Sequence, residues 1–230
     1  MSRPATAAGW RDGAAAIAPL LVGVAPFGLA FGVVAGQSVL GPVLGGVTSI
    51  VIFGGAAQLA TVQLFDTGAA PMVVLATAVV IQSRHVMYSA ALADHFREFP
   101  PVWRWLLPYG LTDQAFAVSI ARFDTVSDPG YKRRFFAGAA LGLWVTWQLT
   151  TAIGIVAGAG IPESWGLDFA VPLVFLVLLV PVVTDRPGLA AAVVGGGVAA
   201  ACIAVPYHLG LLIGAVAGVA AGVAVERERR

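Results

Sequence analysis

The sequence predicts an all-α, polytopic membrane protein of about eight transmembrane helices, with seven as the competing count. Three observations predict it. Charged residues are 11% of the chain and hydrophobic ones 59%, where a soluble domain carries about a quarter charged residues. Apolar runs of spanning length, roughly 17 to 25 residues, follow one another from residue 16 to residue 225. Basic residues collect between alternate runs, as the positive-inside rule requires. Residues 1–230 therefore read as a single integral membrane transport domain, with 1–13 a cytoplasmic segment and 226–230 a cytoplasmic tail. The first thirteen residues lack the basic, apolar and small-residue succession of a signal peptide, so the first run is expected to be retained.

In chain order the expected spans are Ala16–Ala35, Pro42–Phe65, Met72–Ala93, Leu106–Ala121, Phe135–Ala159, Phe169–Val183, Gly188–Val205 and Leu209–Val225. The fourth and sixth are short and could be tilted or re-entrant. With the N-terminus inside, eight spans place Arg3, Arg11, Arg122, Lys132, Arg133, Arg134, Arg186, Arg227, Arg229 and Arg230 in the cytoplasm and only Arg97 and Arg104 outside. Asp94–Trp105, with Phe99, Trp103 and Trp105 beside Pro100-Pro101, reads as an interfacial hairpin. Pro206-Tyr207-His208 reads as an interfacial turn. Gly32-Val33-Val34-Ala35-Gly36 is echoed by Gly154-Ile155-Val156-Ala157-Gly158, a weak sign of internal duplication of the kind found in transporters.

Composition also excludes. A net charge of +1 carries no nucleic-acid signal, and the lone Cys202 permits neither an intrachain disulfide nor a cysteine metal cluster. The sequence contains no GxSxG, HExxH, Walker loop or nucleotide fingerprint. It is read as a non-enzyme without metal or cofactor.

The polar residues inside the spans carry the functional reading. Arg84 lies in the middle of an apolar run, where a charge is costly and usually faces a bundle interior or a water-filled cavity. Gln82, Arg84, His85 and Tyr88 share one broad helix face through i, i+3 and i, i+4 steps. Asp113 is the one carboxylate well inside a span, and Arg84 is its natural partner. Pro26, within Gly23-Val24-Ala25-Pro26-Phe27-Gly28, removes an intrahelical bond. The first helix is expected to be kinked there, or opened so that its backbone meets a substrate. Gln58 follows Phe53-Gly54-Gly55 and needs a polar partner, either a neighbouring helix or a ligand. Substrate contacts are thus expected from Pro26, Phe27, Gly28, Phe31, Phe53, Gln58, Arg84, His85 and Tyr88, with Arg84 and Asp113 as the charge pair.

Together these residues resemble the AzlC family of branched-chain amino acid permeases, which includes the BrnF-type export subunits. The resemblance rests on Pro26-Phe27-Gly28 with Phe31-Gly32 and Gly36, on Ser49 with Phe53-Gly54-Gly55-Ala56-Ala57-Gln58, on Arg84-His85 with Tyr88, on Thr112-Asp113, and on Trp144 with Trp147-Gln148. It implies export of Leu, Ile, Val or close analogues across the bacterial cytoplasmic (inner) membrane, use of the proton motive force, and a small AzlD-type membrane subunit as partner. Two positions depart from the family pattern: Gln82 stands where asparagine is expected, and Gln114 where an acid is expected. A permease for another small solute and a non-transporting scaffold subunit are the alternatives.

Overall fold

The computed structural model describes residues 5–159, 183, 185–203, 205 and 209–228. These fall into two compact units, Met1–Val171 and Pro172–Arg230. Every regular element among the described residues is helical.

The first unit is framed by two long helices, α1 (Ala5–Gln37) and α8 (Pro129–Gly158). α8 begins at Pro129, behind Asp128, whose carboxylate accepts the N–H groups of Gly130 and Tyr131. This caps two amides that have no partner inside the helix. The two helices run parallel. Gly9 and Gly13 lie against the Tyr131–Ala139 stretch, Gly28 against Thr150, and Gly32 against Gly154. At the far end the Gln37 amide donates to the Gly158 carbonyl at 3.3 Å. A Cβ built on Gly32 would lie 2.9 Å from the Gly154 Cα, and one on Gly154 would lie 2.9 Å from the Gly32 Cα. The two echoed glycine segments therefore meet each other, and glycine is required because backbones this close leave no room for a methyl group.

α1 stays helical through both Pro19 and Pro26, so the opening considered at Pro26 does not occur. Proline costs a hydrogen bond and a clash, and here packing against α8 along the whole length of α1 keeps the helix continuous.

Heights along this pair locate the remaining elements. α2 (Gly41–Val51) starts beside the Gln37 end, passes Ala35 at Gly45, and reaches the middle, where the Trp147 indole donates to Ser49 Oγ at 2.8 Å. The chain then reverses. Phe53 takes a left-handed φ of 38°, and Gly54 is extended. α3 (Gly55–Asp66) leads back to the Gln37 end, where Asp66 accepts the Val39 N–H at 2.8 Å. α4 (Pro71–Gln82) returns to the middle, breaks at Ser83, and continues, bent by 40°, as α5 (Arg84–Arg97) to the Gly9 end. There His95 Nδ1 lies 3.0 Å from Lys132 Nζ, and Phe96 packs edge-on against Phe136. α6 (Pro101–Leu106) and a 3-10 turn (Leu107–Gly110) re-enter from the Gly9 end as far as Ala140 and Trp144. α7 (Asp113–Phe123) goes back, with Phe123 against Phe135 and Arg122 donating to the Tyr131 hydroxyl.

This path corrects several expectations. Pro42–Phe65 is a hairpin that enters and leaves at the Gln37 end of the α1–α8 frame, and Leu106–Ala121 takes the re-entrant form left open for it, as the tip and returning arm of a hairpin whose entering arm is α6 at the Gly9 end. Hydropathy set their length, but the Phe53-Gly54 reversal and the Leu107–Thr112 turn set their direction. Arg97 and Arg104 consequently lie at the same end as Lys132 and Arg133: Lys132 reaches His95, and the Arg133 guanidinium sits 5.3 Å over the Trp103 ring. Phe99 is buried at 1% exposure instead of lying at a headgroup surface, whereas Trp105 is exposed. Among the described residues two helices, Gly9–Gln37 and Pro129–Gly158, are long and apolar enough to cross a membrane, and the bent α4–α5 pair makes a third. The outer faces carry exposed Val22, Val43, Val80, Val86, Leu149 and Val156, as a lipid solvent allows.

In the second unit α9 (Arg186–Ala201) and α10 (Leu209–Glu228) pack antiparallel. Gly214 lies against Gly195 and Ala199, Gly218 against Ala191, and Gly222 against Pro187. These helices fall on the seventh and eighth expected spans. The sixth, Phe169–Val183, lies outside the described residues except for Val183, and so does the turn at residues 206–208.

The α1–α8 contact should be intolerant of one added carbon. Gly154→Ala would set its methyl on the Leu29 carbonyl, whereas Gly23→Ala meets nothing within 4 Å. Overpacking of this kind costs about 1–3 kcal/mol. Thermal unfolding of purified protein should show Gly154→Ala several degrees below wild type and Gly23→Ala unchanged.

Candidate functional site

The two hairpin tips and the α4–α5 break converge in the middle of the first unit. Tyr109, on the tip entering from the Gly9 end, stacks on Phe53 of the other tip at 5.7 Å, and its hydroxyl donates to the Ile50 carbonyl at 2.6 Å. The same hydroxyl accepts the Trp144 indole N–H at 3.0 Å. Arg84, the first residue of α5, reaches the first residue of α7, with 3.0 Å from Arg84 Nη1 to Asp113 Oδ2. Tyr88 donates to the other carboxylate oxygen at 2.8 Å. Thr112 caps α7 by accepting the Ala115 N–H at 3.2 Å. Asp113 thus sits in the first turn of α7, where a helix dipole favours an anion.

The expected charge pair is therefore in contact. Its side chains retain 35% and 39% of their exposure, so water or ligand can screen it, and its worth is well below that of a fully buried pair. His85 Nδ1 donates to the Gln82 carbonyl at 3.0 Å, and the imidazole meets Tyr88 edge-on. It replaces a backbone partner lost where α4 stops.

Gln58 is fully buried. Its Oε1 accepts the Gly54 N–H at 3.1 Å, and its Nε2 has no partner. Gln82 Nε2 donates to the Ile52 carbonyl at 3.3 Å, and its Oε1 has no partner. Both amides are anchored on the backbone of the same break.

Three helices of at least eleven residues, α3, α5 and α7, begin at this centre, so the positive ends of their dipoles point at it. Phe27 and Phe31 pack on Trp147 at 5.5 and 5.8 Å, and Gly28 fits against Thr150. These α1 residues, with Pro26 inside the same continuous helix, build the wall behind the tips. Phe27 reaches the break itself, since a Cβ on Gly55 would lie 2.6 Å from its ring. Among the described residues no group of three His, Cys, Asp or Glu side chains could hold a metal.

Comparison with known proteins decides the family. The AzlC protein family matches residues 19–161. The chain belongs to the AzlC family. It is 30% identical over 211 residues to an uncharacterized membrane protein of Archaeoglobus fulgidus, covering 87% of this chain and 88% of that one. It is 24% identical to the inner membrane protein YgaZ of Escherichia coli K12, covering 87% and 84% of the two chains. It is also 24% identical to the branched-chain amino acid transport protein AzlC of Bacillus subtilis, covering 70% and 63%. No solved structure matches the chain.

In this AzlC-family chain, sequence reasoning did not assign Tyr109, Ser49, Gln82, Trp144 and Gln148 to the site. Tyr109 gave one usable signal, a hydroxyl-bearing ring three residues before Thr112-Asp113 in an apolar run. Gln82 shared the Arg84 face and Ser49, Trp144 and Gln148 stood in the motifs of the resemblance, but their contacts follow from the tips meeting α4 and α8, which no local pattern encodes. Ser49 shows the dependence most plainly. It is fully buried, accepts the Trp147 N–H, and donates to Thr151 at 3.3 Å. Ser49→Ala leaves a buried indole N–H unpaired, at a cost of about 1–3 kcal/mol. Thermal unfolding should report that loss, and Thr48→Ala, whose hydroxyl bonds only within α2, should show much less.

Proposed function

We propose that this AzlC-family chain transports branched-chain amino acids across the bacterial cytoplasmic membrane, outward, using the proton motive force together with a small AzlD-type membrane subunit. One observation carries the reading: two broken hairpins entering from opposite ends of the α1–α8 frame meet at a bent helix, and the internal ion pair Arg84–Asp113 joins the break of that helix to the tip of the second hairpin. Discontinuous helices meeting at the midplane provide backbone groups for a polar solute and allow each side to open in turn. The likeness to a protein named for branched-chain amino acid transport supports the substrate class.

In this proposal residues 5–158 contribute three spans and two re-entrant hairpins, and the Gly9 end is cytoplasmic. All seven described basic residues of that stretch other than Arg84 lie at the Gly9 end: Arg11, Arg97, Arg104, Arg122, Lys132, Arg133 and Arg134. Within the second unit Arg186 and Arg227 also share one end, the one where Gly222 meets Pro187, which favours a cytoplasmic C-terminus. Separation of Tyr109 from Phe53 and Ile50 opens the path toward the Gln37 end. Separation of α7 from Arg84 opens it toward the Gly9 end.

Topology gives the first test. In a Cys202→Ser background, Thr67→Cys should react with a membrane-impermeant maleimide on intact cells, and Glu98→Cys should react only after permeabilisation. External labelling at position 98 would restore two full spans where the hairpins are drawn.

Function gives the second. Cells preloaded with leucine should release it faster when this chain and the small subunit are produced together, and neither alone should suffice. Arg84→Gln combined with Asp113→Asn removes both charges while keeping shape and hydrogen bonding. The pair is proposed to hold the second hairpin's tip in register with the α4–α5 break during transport, so efflux should fall at least about tenfold with normal amounts in the membrane. An unchanged efflux rate would remove the pair from the mechanism, and no efflux by the wild-type pair of subunits would remove the transport reading itself.

A further inference from the structure

The break between α2 and α3 carries two side-chain amides whose orientation is fixed by the backbone. Gly54 N–H can be given only to an oxygen, so Gln58 must turn its Oε1 toward the backbone and leave its NH2 group free. The Ile52 carbonyl can accept only from N–H, so Gln82 must turn its Nε2 toward it and leave its carbonyl oxygen free. The two amides are held two residues apart on one strip of chain. One presents a donor and the other an acceptor. Each of these atoms has under 1 Å² of accessible surface and no hydrogen-bond partner. Buried polar atoms are nearly always paired in a finished interior.

Two further features fit this strip to a small charged headgroup. Gln58 is fully buried at the start of the twelve-residue α3, where the helix dipole favours an anion beside the free NH2. A side chain at Gly54 would displace the Gln82 amide from its anchor, because an added Cβ would lie 2.6 Å from both of that amide's polar atoms. The nearby charges already cancel, since Asp113 lies 3.0 Å from Arg84. A centre with no net charge, unpartnered donors at Gln58 Nε2 and Arg84 Nε and an unpartnered acceptor at Gln82 Oε1 suits a ligand that is itself neutral overall but carries both signs.

We propose that Gln58 and Gln82 are the residues that read an amino acid's zwitterionic headgroup, Gln58 Nε2 with the α3 N-terminus holding the α-carboxylate and Gln82 Oε1 holding the α-ammonium. This rests on the reading that the chain carries amino acids, and it gives the carboxylate to Gln58 in place of Arg84.

The experiment uses the full chain purified together with the small subunit in lipid nanodiscs and measures bound radiolabelled L-leucine, with competition by L-leucinamide, which lacks the carboxylate, and by 4-methylpentanoate, which lacks the ammonium. Wild type should prefer leucine to both. Gln58→Glu keeps an oxygen for the Gly54 N–H and replaces the free donor with an acceptor, so its fold has the same anchor. It should bind leucine about tenfold or more weakly and reverse the preference toward leucinamide. Gln58→Met serves as the uncharged control and should lose the leucine-over-leucinamide preference without reversing it. Gln82→Met should weaken leucine comparably while leaving 4-methylpentanoate unaffected. If both Gln58 variants keep the wild-type preference and Arg84→Gln loses it, the carboxylate sits on the guanidinium and the proposal is overturned. If wild type binds no leucine, isoleucine or valine, the amino acid reading fails first and the headgroup assignment with it.

Discussion

The parallel contact between α1 and α8 is the constraint on which the rest of the first unit depends. In an apolar solvent, burial of hydrophobic surface gives no preference for one helix over another, and close van der Waals approach must supply it. Glycines at 9, 13, 28, 32 and 36 on one helix, and at 138, 154 and 158 on the other, provide that approach over its full length. Because the contact is long and in register, it defines two ends and a middle. Every later element is placed by what it touches along this frame: Asp66 near the Gln37 end, His95 near the Gly9 end, and Tyr109 and Ser49 between them.

A helix that stops in the middle exposes backbone groups that lipid cannot satisfy. The C-terminus of α2 shows how the fold meets that demand. The Ser49 carbonyl accepts from the Gln148 amide at 3.1 Å, the Ile50 carbonyl from the Tyr109 hydroxyl, and the Ile52 carbonyl from the Gln82 amide. Three elements each lend one side chain to the same helix end. The α4 break is closed more locally, by His85 on the Gln82 carbonyl and by the Ser83 hydroxyl on the Val80 carbonyl. The breaks are thus fixed features of the interior, and the polar residues around them have backbone work that a list of intramembrane polar residues cannot distinguish from ligand binding.

This explains what could be read from the sequence. Composition and run length gave an all-helical membrane protein, because the apolar surface area of a run needs no knowledge of direction. The Arg84–Asp113 contact was also legible, since two isolated opposite charges in apolar surroundings have few other partners. The glycine echo at 32–36 and 154–158 was visible as a pattern, but its meaning, a contact between the two copies, required both helices. Direction was not legible. A hairpin of two eleven- or twelve-residue helices, such as Gly41–Val51 and Gly55–Asp66, has the hydropathy of one span. The reversal lies in the left-handed backbone at Phe53, a residue type that rarely adopts it. Of the two readings of Pro26 the opened helix is the one that fails, because a proline opens a helix only where no neighbouring helix keeps the chain helical.

The arrangement of charge follows from the hairpins. Had residues 42–65 and 106–121 crossed fully, Arg97 and Arg104 would lie opposite Lys132-Arg133-Arg134. As hairpins they bring all of these to the Gly9 end, so the one arginine left between the ends, Arg84, is also the one matched by a carboxylate at the tip of a hairpin. An arginine alone at that depth would bind any anion strongly and release it slowly. Paired with Asp113 it contributes position and little net field, so in the proposed site discrimination among solutes would fall to the neutral groups beside it. A transporter must release what it binds, and in the proposed role amides anchored on a bent backbone would hold a headgroup through directed hydrogen bonds whose geometry depends on the position of both hairpins.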